Sequence, residues 1–199
     1  MTAQARLPRL REFVRSFTLL MDGGAGEHRI FVDGRALLAQ LVAHDDWLPA
    51  EYAEPDPLRY RQYLLHCDPL ERFSVVSFVW GPGQSTPIHD HTVWGMVGVL
   101  RGLELCEEFA PPTGTGPLAP VGSHQLAAGS IDMVSPRVGD IHRVSNGLEG
   151  GVSVSIHVYG ANIGATSRHV YDPTTGEPGN FVSGYNNEHL PNLWSVTPG

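Results

Sequence analysis

Two histidines, His89 and His91, stand two residues apart, and a third, His142, follows far downstream. In an extended segment, residues i and i+2 project from one face. His89 and His91 can therefore turn their imidazoles to a single point while Asp90 turns away. A third imidazole from a distant strand would complete a facial set and leave the opposite side of a metal ion open. Three neutral imidazoles cancel none of the charge of a divalent ion, whereas a carboxylate ligand would reduce it. Such a site favours direct binding of an anionic ligand such as a thiolate.

The stretch Val152-Ser-Val-Ser-Ile-His-Val-Tyr159 carries the second set of reactive groups. It alternates strictly, with Val152, Val154, Ile156 and Val158 on one face and Ser153, Ser155, His157 and Tyr159 on the other. An amphipathic strand normally turns such a polar face to water. Here the two-residue steps also permit a hydrogen-bond relay from Ser155 through His157 to the Tyr159 hydroxyl, which would fix the direction of the phenol. His28, His44, His66, His124, His169 and His189 stand alone in the sequence and read as solvated or structural residues of loops and helix ends.

Positioning these groups requires strands, and the sequence supplies them after a helical start. Leu7, Leu10, Phe13, Val14 and Phe17 follow helical spacing, Asp22-Gly-Gly-Ala-Gly interrupts it, and Leu37, Leu38, Leu41 and Val42 resume it between Gly34 and His44. After Pro55 and Pro57 the character changes. Phe73–Trp80, Val97–Leu105 and Val152–Tyr159 are rich in β-branched and aromatic residues, and 23 glycines and 16 prolines provide the turns. The expectation is a mainly β, single-domain chain over 1–199, with a helical cap over 1–50 and a barrel core over 70–160. Residues 110–120 read as a long loop, and the segments around Ser183–Asn187 and Leu190–Trp194 as a cover for the barrel mouth.

The net charge of −8 and pI near 5.6 exclude the basic stripe that nucleic-acid binding needs. No apolar run approaches a membrane span and no secretory signal is visible, so the expected setting is soluble and cytoplasmic. The only two cysteines, Cys67 and Cys106, are too few and too isolated for a disulfide framework or zinc ribbon and read as packing residues.

Read outward from the histidine pair, the order Gly83, His89, His91, Gly95, Gly102 resembles the first motif of the cupins, with Gly95 where many cupins have a ligating glutamate. Gly129, Pro136, Gly139, His142 and Asn146 resemble the second motif, with Pro136 and Gly139 one residue farther apart than usual. Together with Phe78-Val-Trp-Gly-Pro-Gly, Pro87-Ile-His-Asp-His-Thr and the Ser-His-Tyr strand, the chain from Tyr60 to Tyr159 is similar to the cysteine dioxygenase family of thiol dioxygenases. That resemblance implies a cupin barrel, the double-stranded β-helix or jelly roll. It also implies Fe(2+) on His89, His91 and His142, catalytic roles for Ser155, His157 and Tyr159, and a small thiol and O2 as reaction partners. Mammalian-type members carry a cysteine near the position of Gly95 that crosslinks to the tyrosine, so Tyr159 is expected to be unmodified. Cysteine-specific members hold the substrate carboxylate with an arginine two residues after a tyrosine, where Tyr60-Arg-Gln places Gln62. The bacterial glutamine-type branch, which acts on 3-mercaptopropionate, is the better match, with Arg168 as candidate carboxylate holder alongside Gln62. Cysteine and mercaptosuccinate remain alternative substrates. A non-catalytic cupin binding module and a zinc hydrolase or isomerase on the same imidazoles are the competing classes.

Overall fold

The computed structural model describes residues 7–114 and 116–194. Helix α1 (Pro8–Asp22) buries Leu10, Phe13, Val14, Phe17 and Leu20 and ends at Gly23. A short helix α2 (Glu27–Arg29) runs through a π-helical turn (Ile30–Gly34) into α3 (Arg35–Val42). The second helical stretch thus begins well before Gly34, where the sequence pattern places it. The wide π turn breaks the 3.6-residue rhythm and hides the earlier start. None of the described helices is long and apolar enough to cross a membrane.

Among the described residues eleven strands follow: β1 (Arg61–Cys67), β2 (Ser74–Trp80), β3 (Ile88–His89), β4 (Gly95–Arg101), β5 (Leu103–Phe109), β6 (Pro120–Ala127), β7 (Ile131–Val134), β8 (His142–Asn146), β9 (Ser153–Tyr159), β10 (Arg168–Tyr171) and β11 (Pro178–Phe181). They form a five-stranded sheet in the order β1-β2-β9-β4-β7 and a six-stranded sheet in the order β11-β10-β3-β8-β5-β6. Every pairing is antiparallel. The sheets face each other: Val144 of the second packs with Val76, Phe78, Trp80 and Tyr159 of the first. The architecture is a cupin jelly roll, with strands both before residue 70 and after residue 160.

The run Val97–Leu105, continuous by composition, is cut into β4 and β5 at Gly102. This residue has φ +88°, and a Cβ there would lie 2.8 Å from the Ser153 backbone. Only glycine fits both the left-handed turn and the close approach, and there the chain passes from one sheet to the other.

Strand β9 has the burial of a central strand on both faces. Val154, Ile156 and Val158 join the helices, Trp47, Val75 and Val79 in the largest apolar cluster, outside the barrel but under the helical cap. Helix α3 comes close because Gly98 lacks a side chain; a Cβ there would stand 3.0 Å from Leu38 and Val42. The polar face, with Ser153, Ser155, His157 and Tyr159 all buried, therefore lines the barrel interior rather than facing water. At the edge strand β1, Asn186 and Asn187 accept the backbone N–H groups of Gln62 and Leu64, both at 2.7 Å. The C-terminal segment thus covers an open sheet edge, while Leu190 and Trp194 stay exposed.

Candidate metal centre and its hydrogen-bond relay

His89 and His142 sit directly opposite each other on β3 and β8, and His91 follows just beyond the short strand. The three ring centroids form a near-equilateral triangle of 4.8, 4.8 and 4.9 Å. All three residues are buried, and one nitrogen from each lies within 4.8 Å of the others, an arrangement that could hold a metal ion.

Each ring has its Nδ1 engaged behind the triangle. His89 Nδ1 is 3.0 Å from the Pro87 carbonyl, His91 Nδ1 is 2.9 Å from Asp140 Oδ1, and His142 Nδ1 is 3.5 Å from Cys106 Sγ. With Nδ1–H donating outward, the Nε2 lone pairs are left to face one another, the tautomer a metal requires. Burial holds His89 down to about 3 and His142 well below the usual imidazole range, so both rings are neutral. No carboxylate joins the triangle among the described residues.

Asp140 also accepts the backbone N–H groups of His91 and Thr92, at 3.0 and 2.9 Å. Burial works to raise its carboxyl, but the His91 side chain first, and these backbone donors after it, outweigh burial and hold Asp140 below the ordinary range. Thr92 has φ +60°, a strained conformation for a β-branched residue. Asp140 pins the turn that carries this strain. Asp90, between the two histidines, points away and accepts from His169 and the Tyr171 hydroxyl, tying β3 to β10.

On β9 the relay is assembled. Ser155 Oγ lies 2.8 Å from His157 Nε2, His157 Nδ1 lies 2.8 Å from Tyr159 Oη, and the Trp80 indole N–H donates to Ser155 Oγ at 3.3 Å. Phe78 stacks on His157 at 4.0 Å and the Tyr159 ring stacks on His91 at 5.1 Å, so the relay runs from the barrel core to the edge of the triangle. Burial pushes the Tyr159 hydroxyl up, and the nearby charge of Arg168 opposes that. Gly95 is the cross-strand neighbour of Tyr159, and a Cβ on it would meet the phenol ring at 2.8 Å. The bare backbone there leaves the ring its place.

Arg168, on β10, is 3% exposed. It donates to Ser183 Oγ at 2.7 Å and its guanidinium lies 4.6 Å over Phe181, while its buried Nε has no partner. Val170, two residues on, is the cross-strand partner of His89, and the charge of Arg168 acts on His89, Tyr60 and Tyr159. Gln62, on β1, pairs with Phe78 and shares its interior face; its Oε1 is buried and unpartnered.

The residue types missed in the sequence are those that hold the others. Cys106 is not mere packing: it backs His142 and sits beside His124 and Asp132. His66, His124 and His169 lie in strands rather than loops, and His124 and His169 pair with Asp132 and Asp90. Glu104, fully buried in β5, accepts from Ser153 Oγ at 3.2 Å. The alternation Glu104, Cys106, Glu108 against Leu103, Leu105, Glu107 was the available signal. It misleads because Glu104 and Cys106 are the buried members, while Leu103 and Leu105 are only half-buried and Glu108 is exposed.

The model of cysteine dioxygenase type I matches residues 31–173, close to three quarters of the chain. The chain belongs to the cysteine dioxygenase type I family. The matched span contains the histidine triangle, the relay, Gln62 and Arg168. The chemistry of the cysteine dioxygenase family is metal-dependent oxygenation of a small thiol by O2, and the histidine triangle could hold its metal. Among solved structures, a double-stranded β-helix protein from Klebsiella pneumoniae is 20% identical, with 61% of this chain and 94% of the other covered at a TM-score of 0.45. A cupin superfamily protein from Desulfitobacterium hafniense is 15% identical, with 60% and 94% covered at a TM-score of 0.44.

Proposed function

We propose that the protein is an iron(II) thiol dioxygenase that converts 3-mercaptopropionate and O2 to the corresponding sulfinate. The observation that carries this reading is the triangle of three buried imidazoles without a carboxylate, with the Tyr159 ring stacked on His91 and the charge of Arg168 acting on His89. His89, His91 and His142 are the proposed ligands. A bound iron(II) would supply the redox chemistry that places both oxygen atoms on sulfur, so that one thiol and one O2 give one sulfinic acid.

The chain's own residues orient the thiol. Arg168 has donors not spent on Ser183 and offers a charged fork to a carboxylate, with Gln62 as a second polar contact deeper along β1. Tyr159, aimed by His157 and Ser155, presents a hydroxyl beside the triangle for a hydrogen bond to O2 or to the substrate carboxylate. The strand cover on one side and Phe78, Trp80 and Tyr60 on the other keep the relay dry.

Charge supports a thiol without an amino group. A dianionic thiolate-carboxylate suits a divalent ion beside an arginine. A cysteine whose amine did not bind the metal would carry an ammonium in need of an acidic partner, and Asp140 is committed to His91 and Thr92, and Asp90 to His169 and Tyr171. O2 uptake by the anaerobically iron-loaded protein, with sulfinate measured by mass spectrometry, tests the reading. One sulfinate per O2 with the highest kcat/KM for 3-mercaptopropionate is expected. Preference for cysteine or mercaptosuccinate would change the substrate, and no uptake with any thiol would leave a binding module.

A further inference from the structure

The Ser155–His157–Tyr159 series does not end at Ser155. Beyond it lies Glu104, with no solvent exposure, on the facing sheet. Its Oε1 takes the Ser153 hydroxyl at 3.2 Å and its Oε2 has no hydrogen-bond partner; the Trp80 indole N–H donates to Ser155 Oγ, and the Ser155 hydroxyl and that N–H lie near enough to the carboxyl to favour its charge. A buried carboxyl with an unpartnered oxygen is costly and calls for a reason. We infer that Glu104 is a positioning residue at the inner end of the relay, and that its charge sets the direction in which the relay donates to Tyr159.

The direction follows from donor counting. Buried His157 is held neutral, so it has one N–H and one lone pair. A charged Glu104 can only accept and draws the Ser155 proton toward itself. Ser155 Oγ then accepts from His157 Nε2–H, the bare Nδ1 accepts the Tyr159 proton, and the phenol has no proton to offer the metal side. A protonated Glu104 releases Ser155, which donates to Nε2. His157 then carries Nδ1–H, donates to Tyr159 Oη, and frees the phenol proton for a ligand in the site.

Burial pushes the Glu104 carboxyl up to about 7, with Ser155, Ser153 and Trp80 opposing it, so both states are accessible near neutral pH. The ionisable groups around it are few. Cys106 lies on its own strand, and His157 and Tyr159 lie on β9. On β4, Arg101 directs its guanidinium to Asp45. The flanking partners on β8 and β6 are Asn146 and Leu126, and Asn146 spends its amide on the Trp80, Gly81 and Gly151 carbonyls.

The wiring stands apart from the choice of thiol; only its effect on turnover rests on the thiol dioxygenase reading. The test is infrared difference spectroscopy against pH on anaerobic iron-loaded protein, with 13C-glutamate and 15N-histidine labels to assign bands. In the unsubstituted protein a carboxylic acid band is expected to vanish as pH rises through about 7, in step with a change of one histidine from the Nδ1–H to the Nε2–H tautomer. In Glu104→Gln both changes should be lost, with the histidine fixed as Nδ1–H, and the pH dependence of kcat/KM through this range should flatten. A carboxyl that titrates while the tautomer stays fixed, or a tautomer change that persists in Glu104→Gln, would overturn the inference. Ser155→Ala provides the second arm: the carboxyl band should still titrate while the tautomer no longer follows. If the bands behave as stated but no thiol supports O2 uptake, the proposed function fails and the wiring stands.

Discussion

The metal centre depends on residues one step behind the imidazoles. Asp140→Asn keeps the shape of the side chain but removes the charge that receives His91 Nδ1–H. Metal affinity is expected to fall by about 10- to 100-fold, read by competition with a chelator. Unchanged affinity would reduce Asp140 to a holder of the Thr92 turn. Arg168 permits a sharper test, because lysine keeps its charge but lacks the planar fork. Arg168→Lys should lower kcat/KM for 3-mercaptopropionate by about 10- to 100-fold, the worth of a charge-assisted hydrogen bond. Turnover of a thiol with no carboxylate should hardly change. Equal losses on both substrates would show that Arg168 only braces Ser183 and Phe181.

Strand β9 makes the division of labour visible at the level of an element, since alternate residues serve different halves of the molecule. Ile156→Ala leaves a cavity under the helical cap and is expected to cost about 2–5 kcal/mol by chemical denaturation. Ser155→Ala should cost less than about 1.5 kcal/mol while changing the pH profile of turnover. If both substitutions acted mainly on stability, the polar face would be structural. The alternation of this strand was readable from residue types alone, as were the helical start and the His-x-His pair. What one strand's pattern could not say was which face points inward, because helices lie outside the barrel here and cover the apolar side. The two-residue strand β3 and the Gly102 crossing were equally hidden, one too short to show a pattern and the other needing the Ser153 backbone on a distant strand. Glu104 escaped for a related reason: a glutamate among strand residues reads as solvent-facing until the facing sheet buries it.

The halves of the molecule are joined by ionisable groups, and two carboxyls tilt the stability of the whole in opposite directions. Arg72 reaches from the β1–β2 connection both to Asp22 at the end of α1, at 2.7 Å, and to buried Asp68, at 2.8 Å. The Arg72 hydrogen bonds hold the Asp68 carboxyl down to about 2 against its burial. A folded-state value below the unfolded one gives stability that is present above about pH 4 and lost as pH falls toward 2, here on the order of 2 kcal/mol. Asp68→Asn should remove that acid limb. Glu104 has the opposite sign. Burial raises its folded value to about 7 from an ordinary 4.5, so the folded chain holds a proton the unfolded chain has released, and stability declines as pH rises between those values. The loss complete above pH 7 is about 3 kcal/mol. Because glutamine has no charge to bury, Glu104→Gln should gain on the unsubstituted protein by that amount between pH 4.5 and 8, read as the difference between paired denaturation curves. A difference that does not vary with pH would mean that Glu104 ionises as freely folded as unfolded, which its place between the sheets argues against.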